Sequence, residues 1–469
     1  MKPKQILVLA VILLLLIVGV VIKNLQKPAE LATQELTSLD LSFDAGTVGK
    51  IQISKSVPAS NAQAENAITI IRNKPPEPDG WKIPDFMNAR ADKEKIERFL
   101  KEIHDAKGEL RAKAKSLHKD FGIDGESAFR VPLFDNEWRQ ILGMLIGTKR
   151  AGSGNLFVRM DGSDAVYMTD AQLLTEMGIY GDPEKEKPKK EHWAALNLAD
   201  FDVSKVEKLE THRFQSGKDT LAAGVMREMD PADMTQKKWR FLRADAPFAL
   251  DAEKVKQYLS SNNAWRASKA MDPKAKDYGL DKPQWQMKLG IEAGDEIVIT
   301  SGGNTDPESK AYYLQTSRSN VVYEYPDYYF KNLDIDDSKF FVDNPLEIDH
   351  DKIEKLLIVA GKQEMSFNPK AKKWDSLSNY LSELKSFSAT RLLLGPSEAK
   401  KAESPSHYRI EIQREGAPVP FILDAGGVIS ETPKEYAAAK RGAAPFAISE
   451  VNYKKLFDNL ARLAEPQKT

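Results

Sequence analysis

The residues of this chain whose types could do chemistry are six histidines, an acidic run and a few serine–lysine spacings. The histidines are His104, His118, His192, His212, His350 and His407. None forms His-x-His, and no His-Glu-x-x-His occurs, so a zinc hydrolase has no local signature; metal ligands must converge as a set. They read as surface or hydrogen-bonded structural histidines. Asp334-Ile335-Asp336-Asp337 gathers carboxylates. A calcium loop also needs a mid-loop Gly and a closing Glu, and neither stands at the required offset. A solvated loop or helix cap is the expectation. Gly147 and Gly152 have phosphate-loop spacing, yet Ser153-Gly154 follows where Lys-Ser/Thr should stand, which predicts a loose hairpin. Ser116 and Lys119, Ser382 and Lys385, and Ser397 and Lys400 each fit Ser-x-x-Lys. With no Ser-Asp-Asn or Lys-Thr-Gly beside them, the matches read as chance.

The remaining candidates recur along the chain. Trp81, Trp239 and Trp374 each follow a turn and open an alternating stretch. They could be ligand-stacking platforms, but large aromatics dominate burial, so core packing is expected. Gly122 and Gly279 suit tight backbone turns better than binding. Lys107, Arg111, Lys113, Lys115 and Lys119 read as a solvated helix face, with a docking patch for an acidic partner as the rival. No residue emerges as catalytic, cofactor-binding or metal-ligating, and no cofactor is expected.

Composition narrows the classes. The chain has 469 residues, a formal net charge of −1, 41% hydrophobic and 29% charged residues, and no cysteine. Such a length implies several folded domains rather than disorder. The charge balance argues against nucleic acid, which requires a phosphate-neutralising basic face. Without cysteine there is no disulfide, thiolate metal site or Cys nucleophile.

What must position these residues begins with residues 6–22, ILVLAVILLLLIVGVVI, flanked by Lys4 and Lys23. As a helix this run spans roughly 25 Å, workable for a bilayer core of about 30 Å. No small-x-small site follows it, so an uncleaved anchor is expected rather than a signal peptide. A short N-terminal tail before a long polar chain favours a cytoplasmic N-terminus and an extracytoplasmic bulk.

Beyond the anchor the chain repeats itself. Lys50 to Ile53 alternates as a strand, residues 67–72 (AITIIR) form a second β-rich run, and Trp81-Lys82-Ile83-Pro84 opens a third. Asp92 then caps a helix with its apolar stripe at Ile96, Phe99, Leu100 and Ile103. Phe121-Gly122-Ile123 leads to strands at residues 140–148 and 155–160 and to Tyr167. The same order returns with Val206-Glu207-Lys208-Leu209, Trp239, a helix capped by Asp251, Tyr278-Gly279-Leu280, and Val321-Val322-Tyr323. The repeat is roughly 157 residues, too long for a solenoid, so each copy is a small domain. A looser third copy starts at Ile353, carries Trp374 and a helix stripe at Leu377, Tyr380, Leu381 and Leu384, and ends in an amphipathic helix.

The predicted organisation is a short tail (1–5), a transmembrane helix (6–22), a juxtamembrane spacer (23–38) and a first module (39–181). A linker (182–203), a second module (204–342), a shorter linker (343–350) and a divergent third module (351–469) follow. The fold class is α+β, each module an antiparallel sheet packed with one main amphipathic helix.

This arrangement resembles a bacterial family known as domain of unknown function 4340. The residues that carry the likeness are the strand at Lys50 to Ile53, Trp81 to Pro84, the helix from Asp92, Asp277-Tyr278-Gly279-Leu280-Asp281-Lys282-Pro283, Ala311-Tyr312-Tyr313 and Val321-Val322-Tyr323. The resemblance implies an accessory role beside an ABC-type transport system of the gliding-motility or auxiliary-exporter kind, and no known active site. The expected function is therefore a non-enzymatic, membrane-anchored accessory or scaffold protein of the bacterial inner membrane, its bulk periplasmic. Its partners are the bilayer, through residues 6–22, and the subunits of a membrane complex. The rivals are an envelope hydrolase with carboxylates between modules and a polymer- or solute-binding protein.

Overall fold

Alternation sets the first sheet: along β2 the side chains of Ile51 and Ile53 are fully buried while those of Lys50 and Gln52 are half-buried. The computed structural model describes residues 37–458 apart from 40, 42, 56–66, 75–79, 126, 152–153, 262–264, 304–309, 347–351, 369–376 and 404–407. The expected transmembrane helix, most of the spacer, Trp374, His350 and His407 lie outside the described residues. Among the described residues no helix is long and apolar enough to cross a membrane.

The first sheet contains β1 (Thr37–Ser38), β2 (Lys50–Lys55), β3 (Ile68–Arg72), β4 (Trp81–Ile83), β5 (Ala89–Arg90), β6 (Lys107–Ala112), β7 (Phe129–Phe134), β8 (Gln140–Arg150), β9 (Leu156–Met160) and β10 (Val166–Thr169). Its order is β1-β6-β10-β9-β8-β7-β2-β3-β4-β5. The second contains β11 (Val206–Gln215), β12 (Lys218–Asp230), β13 (Asp233–Phe241), β14 (Lys269–Met271), β15 (Trp285–Ile291), β16 (Glu296–Ser301), β17 (Ala311–Thr316) and β18 (Val322–Pro326), ordered β13-β12-β11-β15-β16-β17-β18-β14. The third contains β19 (Ile353–Ala360), β20 (Gln363–Phe367), β21 (Arg391–Leu392), β22 (Tyr408–Arg414), β23 (Phe421–Glu431), β24 (Lys434–Lys440) and β25 (Phe446–Ser449), ordered β20-β19-β22-β23-β24-β25-β21.

All three follow one path. An opening hairpin (β2–β3, β11–β12, β19–β20) leads to a helix that carries the chain to the far edge. A short strand there (β6, β14, β21) is followed by a four-strand meander. The meander starts beside the opening strand and ends beside the short one. The third copy, read as divergent, shares this strand order.

The crossing helices are α1 (Lys93–His104), α2 (Ala252–Leu259) and α3 (Ser378–Lys385). Asp92 accepts from the Lys95 amide, and Asp251 from those of Glu253 and Lys254, satisfying first-turn donors that a helix leaves open. The predicted stripes are buried: Ile96, Phe99, Leu100 and Ile103 in α1, Val255, Tyr258 and Leu259 in α2, and Tyr380, Leu381 and Leu384 with α3. The helical share is nonetheless smaller than an α+β class implies. The fold is mostly β, three antiparallel sheets with few short helices. Part of the shortfall is the basic stretch from Lys107, which is strand β6 and a turn rather than a helix. Gly108 lies mid-strand, where a Cβ would come within 2.8 Å of Leu39; a glycine there weakens any helix and admits the close neighbour.

The described chain divides after Ala195 into two compact units, one holding the first sheet and the other the second and third. In the second unit, Phe248 and Phe341 enter the core of the third sheet with Phe387 and Phe446. Phe248 meets these three rings at centroid distances of 5.3, 5.9 and 5.0 Å, edge to face.

Candidate functional site

Trp81 faces Arg72 directly across the β3–β4 ladder, and the guanidinium stacks 4.8 Å from the indole centroid. Arg72 also donates to the Gly46 carbonyl at 2.8 Å and the Ala45 carbonyl at 3.5 Å, in the short 3-10 turn before β2. Asp44 caps that turn by accepting from the Gly46 amide at 2.8 Å. The second sheet rebuilds the unit. Trp239 faces Arg227 across β12–β13 with the guanidinium 4.9 Å from the ring. Arg227 donates to the Ser204 carbonyl at 2.7 Å, and Asp202 caps the turn through the Ser204 amide at 2.9 Å. Trp81 is 3% exposed, as core packing predicts, whereas Trp239 is half-buried.

A second device recurs just before α1 and α2. The Asp92 amide donates to the Trp193 carbonyl and the Ala195 amide to the Arg90 carbonyl, with a bridge between Ala91 and Ala194. Likewise the Asp251 amide donates to the Phe340 carbonyl and the Val342 amide to the Ala249 carbonyl, with a bridge between Leu250 and Phe341. In these two modules the chain leaving the meander thus closes onto the residues that start the module's helix. Trp193, inside the expected linker, is fully buried and lies 5.3 Å from the Phe99 ring.

The other repeated residues also hold the modules together. Gly122 and Gly279 adopt φ of 60° and 69°, the left-handed backbone expected of them. Tyr167 stands between Leu110 of β6 and Val158 of β9, and Tyr323 between Ala270 of β14 and Leu314 of β17, equivalent places in two sheets. Pro283 lies just ahead of β15. Trp374 lies outside the described residues.

Beside Trp81 a groove of about 830 Å³ runs along α1, with Phe43, Leu100 and the indole as its apolar lining. Of the charged groups at its rim, Lys101 is bound by Asp105, Glu97 lies 3.9 Å from Lys93, and Asp44 is committed to its cap. His104 meets Phe43 edge to face at 5.7 Å. Such a groove can accept apolar surface; its charges are engaged in local pairs rather than arranged around a reacting centre. In the second unit a polar depression of about 450 Å³ is lined by Lys218, Asp219, Arg243, Asp245 and Leu394. Arg243 Nε donates to the fully buried Asp337 at 2.8 Å and Nη2 to the Leu221 carbonyl at 2.9 Å.

The acidic run is structural. Asp334 binds Arg213 at 2.8 Å. Asp336 accepts from the Ser338 amide at 2.9 Å and from the Leu392 amide at 3.3 Å. Asp337 accepts from the Gly224 amide at 2.8 Å as well as from Arg243. A helix cap was expected of this run and Asp336 is one; solvation was also expected, and Asp336 and Asp337 are buried. Burial pushes the Asp337 carboxyl up to about 6, against the opposing pull of the Gly224 amide and Arg243.

The histidines go their separate ways. His118 Nε2 lies 3.0 Å from the Asp164 carbonyl, and His212 Nδ1 lies 2.9 Å from Asp219. His192 Nε2 lies 2.9 Å from the Glu176 carbonyl, and burial, helped by Lys95, lowers its pKa. Among the described residues no three His, Asp or Glu side chains converge on a metal position.

Sequence reasoning missed Arg72, Arg227, Asp44 and Asp202. A signal existed: Asp-x-x-x-Val-x-Lys-Ile/Leu stands at Asp44 to Ile51 and again at Asp202 to Leu209.

The family model described as a domain of unknown function (DUF4340) matches residues 81–261 and again residues 239–411. Each match begins on a stacked tryptophan, Trp81 or Trp239, and runs on into the following module. No curated protein and no solved structure matches the chain.

Proposed function

The chain belongs to the DUF4340 family, and on that premise we propose that it is a membrane-tethered accessory protein acting by protein contact. Residues 6–22 are its hold on the bacterial inner membrane, the N-terminus is cytoplasmic, and the modules lie on the extracytoplasmic side. Its partners are the subunits of a membrane complex of the ABC-type transport kind. The observation that carries this reading is the reuse of one module. The tryptophans, glycines and helix caps that repeat in the sequence serve the stacking, turns and closures that build the first two copies, and the third shares their strand order. Repetition of a scaffold multiplies contact surface, and a tether raises the local concentration of that surface near its partner.

Crosslinking in intact cells, followed by purification from detergent-solubilised membrane, tests it. Recovery with transporter subunits supports the proposal, and isolation as a lone monomer from both crosslinked and native membrane overturns it. Protease added to spheroplasts digests the modules if they are extracytoplasmic; protection of the bulk reverses the assigned orientation.

A further inference from the structure

Trp138 occupies a backbone position that favours glycine. It closes the β7–β8 hairpin, where its amide donates to the Asp135 carbonyl and the Asp135 amide to the Arg139 carbonyl. This is a tight turn followed by a left-handed residue, and Trp138 has φ of 65°. The hairpins that start the meander in the other two sheets place only small residues in left-handed backbone, Ala293 (φ 67°) with Gly294 (φ 82°) in one and Gly416 (φ 72°) in the other. A bulky side chain there carries a steric cost that glycine avoids.

The turn is nevertheless built firmly. The Asp135 carboxylate accepts from the Glu137 amide, the Arg139 amide and Arg139 Nε at 2.9, 2.9 and 2.7 Å. Lys74 donates to the Asn136 carbonyl at 2.9 Å. The indole it holds out is 43% exposed, with the ammonium groups of Lys50 and Lys74 each 5.0 Å from its centroid. Backbone strain at a rigid, exposed aromatic points to a role outside folding.

We propose that Trp138, with Lys50 and Lys74, is a contact point for the headgroup layer of the lipid bilayer. Indole rings partition to that layer, and lysine ammonium groups meet its phosphates. The inference rests on the tether reading above. Residues 23–36 separate the apolar run from Thr37, a reach of at most roughly 50 Å for a fully extended chain. The tryptophan thus occurs in the hairpin of the module that follows the tether, while the matching hairpins of the later modules carry alanine and glycine.

The chain has no cysteine, so single labels are unambiguous. The full-length protein is reconstituted in phosphatidylcholine vesicles containing phosphatidylglycerol. An environment-sensitive fluorophore is placed on Glu137→Cys, exposed beside Trp138 in the same turn, or on Tyr180→Cys or Leu15→Cys, and quenching by lipids spin-labelled at the headgroup or deep in the acyl chain is measured. Tyr180 is a control on the same unit, 69% exposed. Headgroup quenching at position 137 is expected to exceed that at position 180 by at least about twofold. Adding Lys50→Glu and Lys74→Glu to the labelled chain should reduce it, with the position 180 label and far-UV dichroism unchanged. Equal quenching at positions 137 and 180 overturns the proposal. Deep quenching at position 15 alone leaves the tether standing without the contact, and its absence there overturns the tether instead.

Discussion

Arg72 is the hinge pin between the opening turn and the repeated tryptophan: it stacks on Trp81 at 4.8 Å and donates to the Gly46 carbonyl at 2.8 Å. Stacking contributes about 0.5–1 kcal/mol and the hydrogen bond about 1 kcal/mol, so Arg72→Ala should cost about 2 kcal/mol. Arg72→Lys keeps the charge but cannot stack and fork at once, and should recover less than half of this. Urea denaturation of the full chain, followed through the transition of the first unit, reads both values.

Gly122 and Gly162 separate two costs of adding a Cβ. Both have positive φ, 60° and 76°. At Gly122 the new atom would also fall 2.6 Å from Thr148 Oγ1 and 3.0 Å from the Lys149 amide nitrogen, whereas at Gly162 it meets open space. Gly162→Ala should therefore cost about 1 kcal/mol, the left-handed term alone, and Gly122→Ala roughly twice that or more. Comparable denaturation midpoints for the two variants would defeat this account.

These residues mark what was legible in the sequence. The caps at Asp92 and Asp251, the helix stripes and the glycine turns are local: cap, period and backbone conformation are written within a few residues. The stacked arginines were not legible, because Arg72 and Arg227 meet their tryptophans only once strand register is set. Phe248 was invisible for a similar reason. Its partners Phe387 and Phe446 are far along the chain in the third module. The basic stretch has the lysine–arginine rhythm of a helix face, yet Gly108 and the pairing of β6 with β10 make Lys107 to Ala112 a strand, and only a single 3-10 turn, Lys115–Leu117, follows. The candidate chemistry was excluded on motif grounds, but the burial of Asp337 depends on Arg243 and the Gly224 amide, which no spacing announces.

Asp337 should give the second unit a pH-dependent stability of known sign. Burial raises its carboxyl from 3.8 to about 6. On raising pH, the unfolded chain releases this proton near pH 4 and the folded one only near pH 6. Stability from this group is thus full below pH 4 and is lost as pH rises through 6, on the order of 2–3 kcal/mol in all. Carboxyls such as Asp230, held low by its bond to Lys238, slope the other way. The difference between wild type and Asp337→Asn isolates the residue, and a difference that is flat from pH 4 to 7 would falsify the assignment.

Phe248 carries the second module into the core of the third sheet. It is 4% exposed and contacts Phe341, Phe387 and Phe446 edge to face. Truncation to alanine removes the ring and leaves a cavity, at a cost of about 3–5 kcal/mol. Because Phe248 and Phe341 of the second module sit in the core of the third sheet, with Phe241 of β13 packed against it, the loss should lower the stability of both sheets together. Calorimetry that finds Phe248→Ala destabilising one sheet and sparing the other would show that they fold independently.

Trp138 gives the opposite expectation. Its left-handed backbone costs about 1–2 kcal/mol relative to glycine, and its two lysine contacts return about 0.5–1 kcal/mol each at such exposure. The terms nearly cancel, so Trp138→Gly should change the stability of the full chain by less than about 1 kcal/mol. A tryptophan kept for packing would lose several times more on removal. Near-neutral stability in denaturant is therefore the result that separates an exposed contact residue from a core one. A loss of about 3 kcal/mol or more would mean that the indole supports the hairpin, and the backbone strain would then need no partner to explain it.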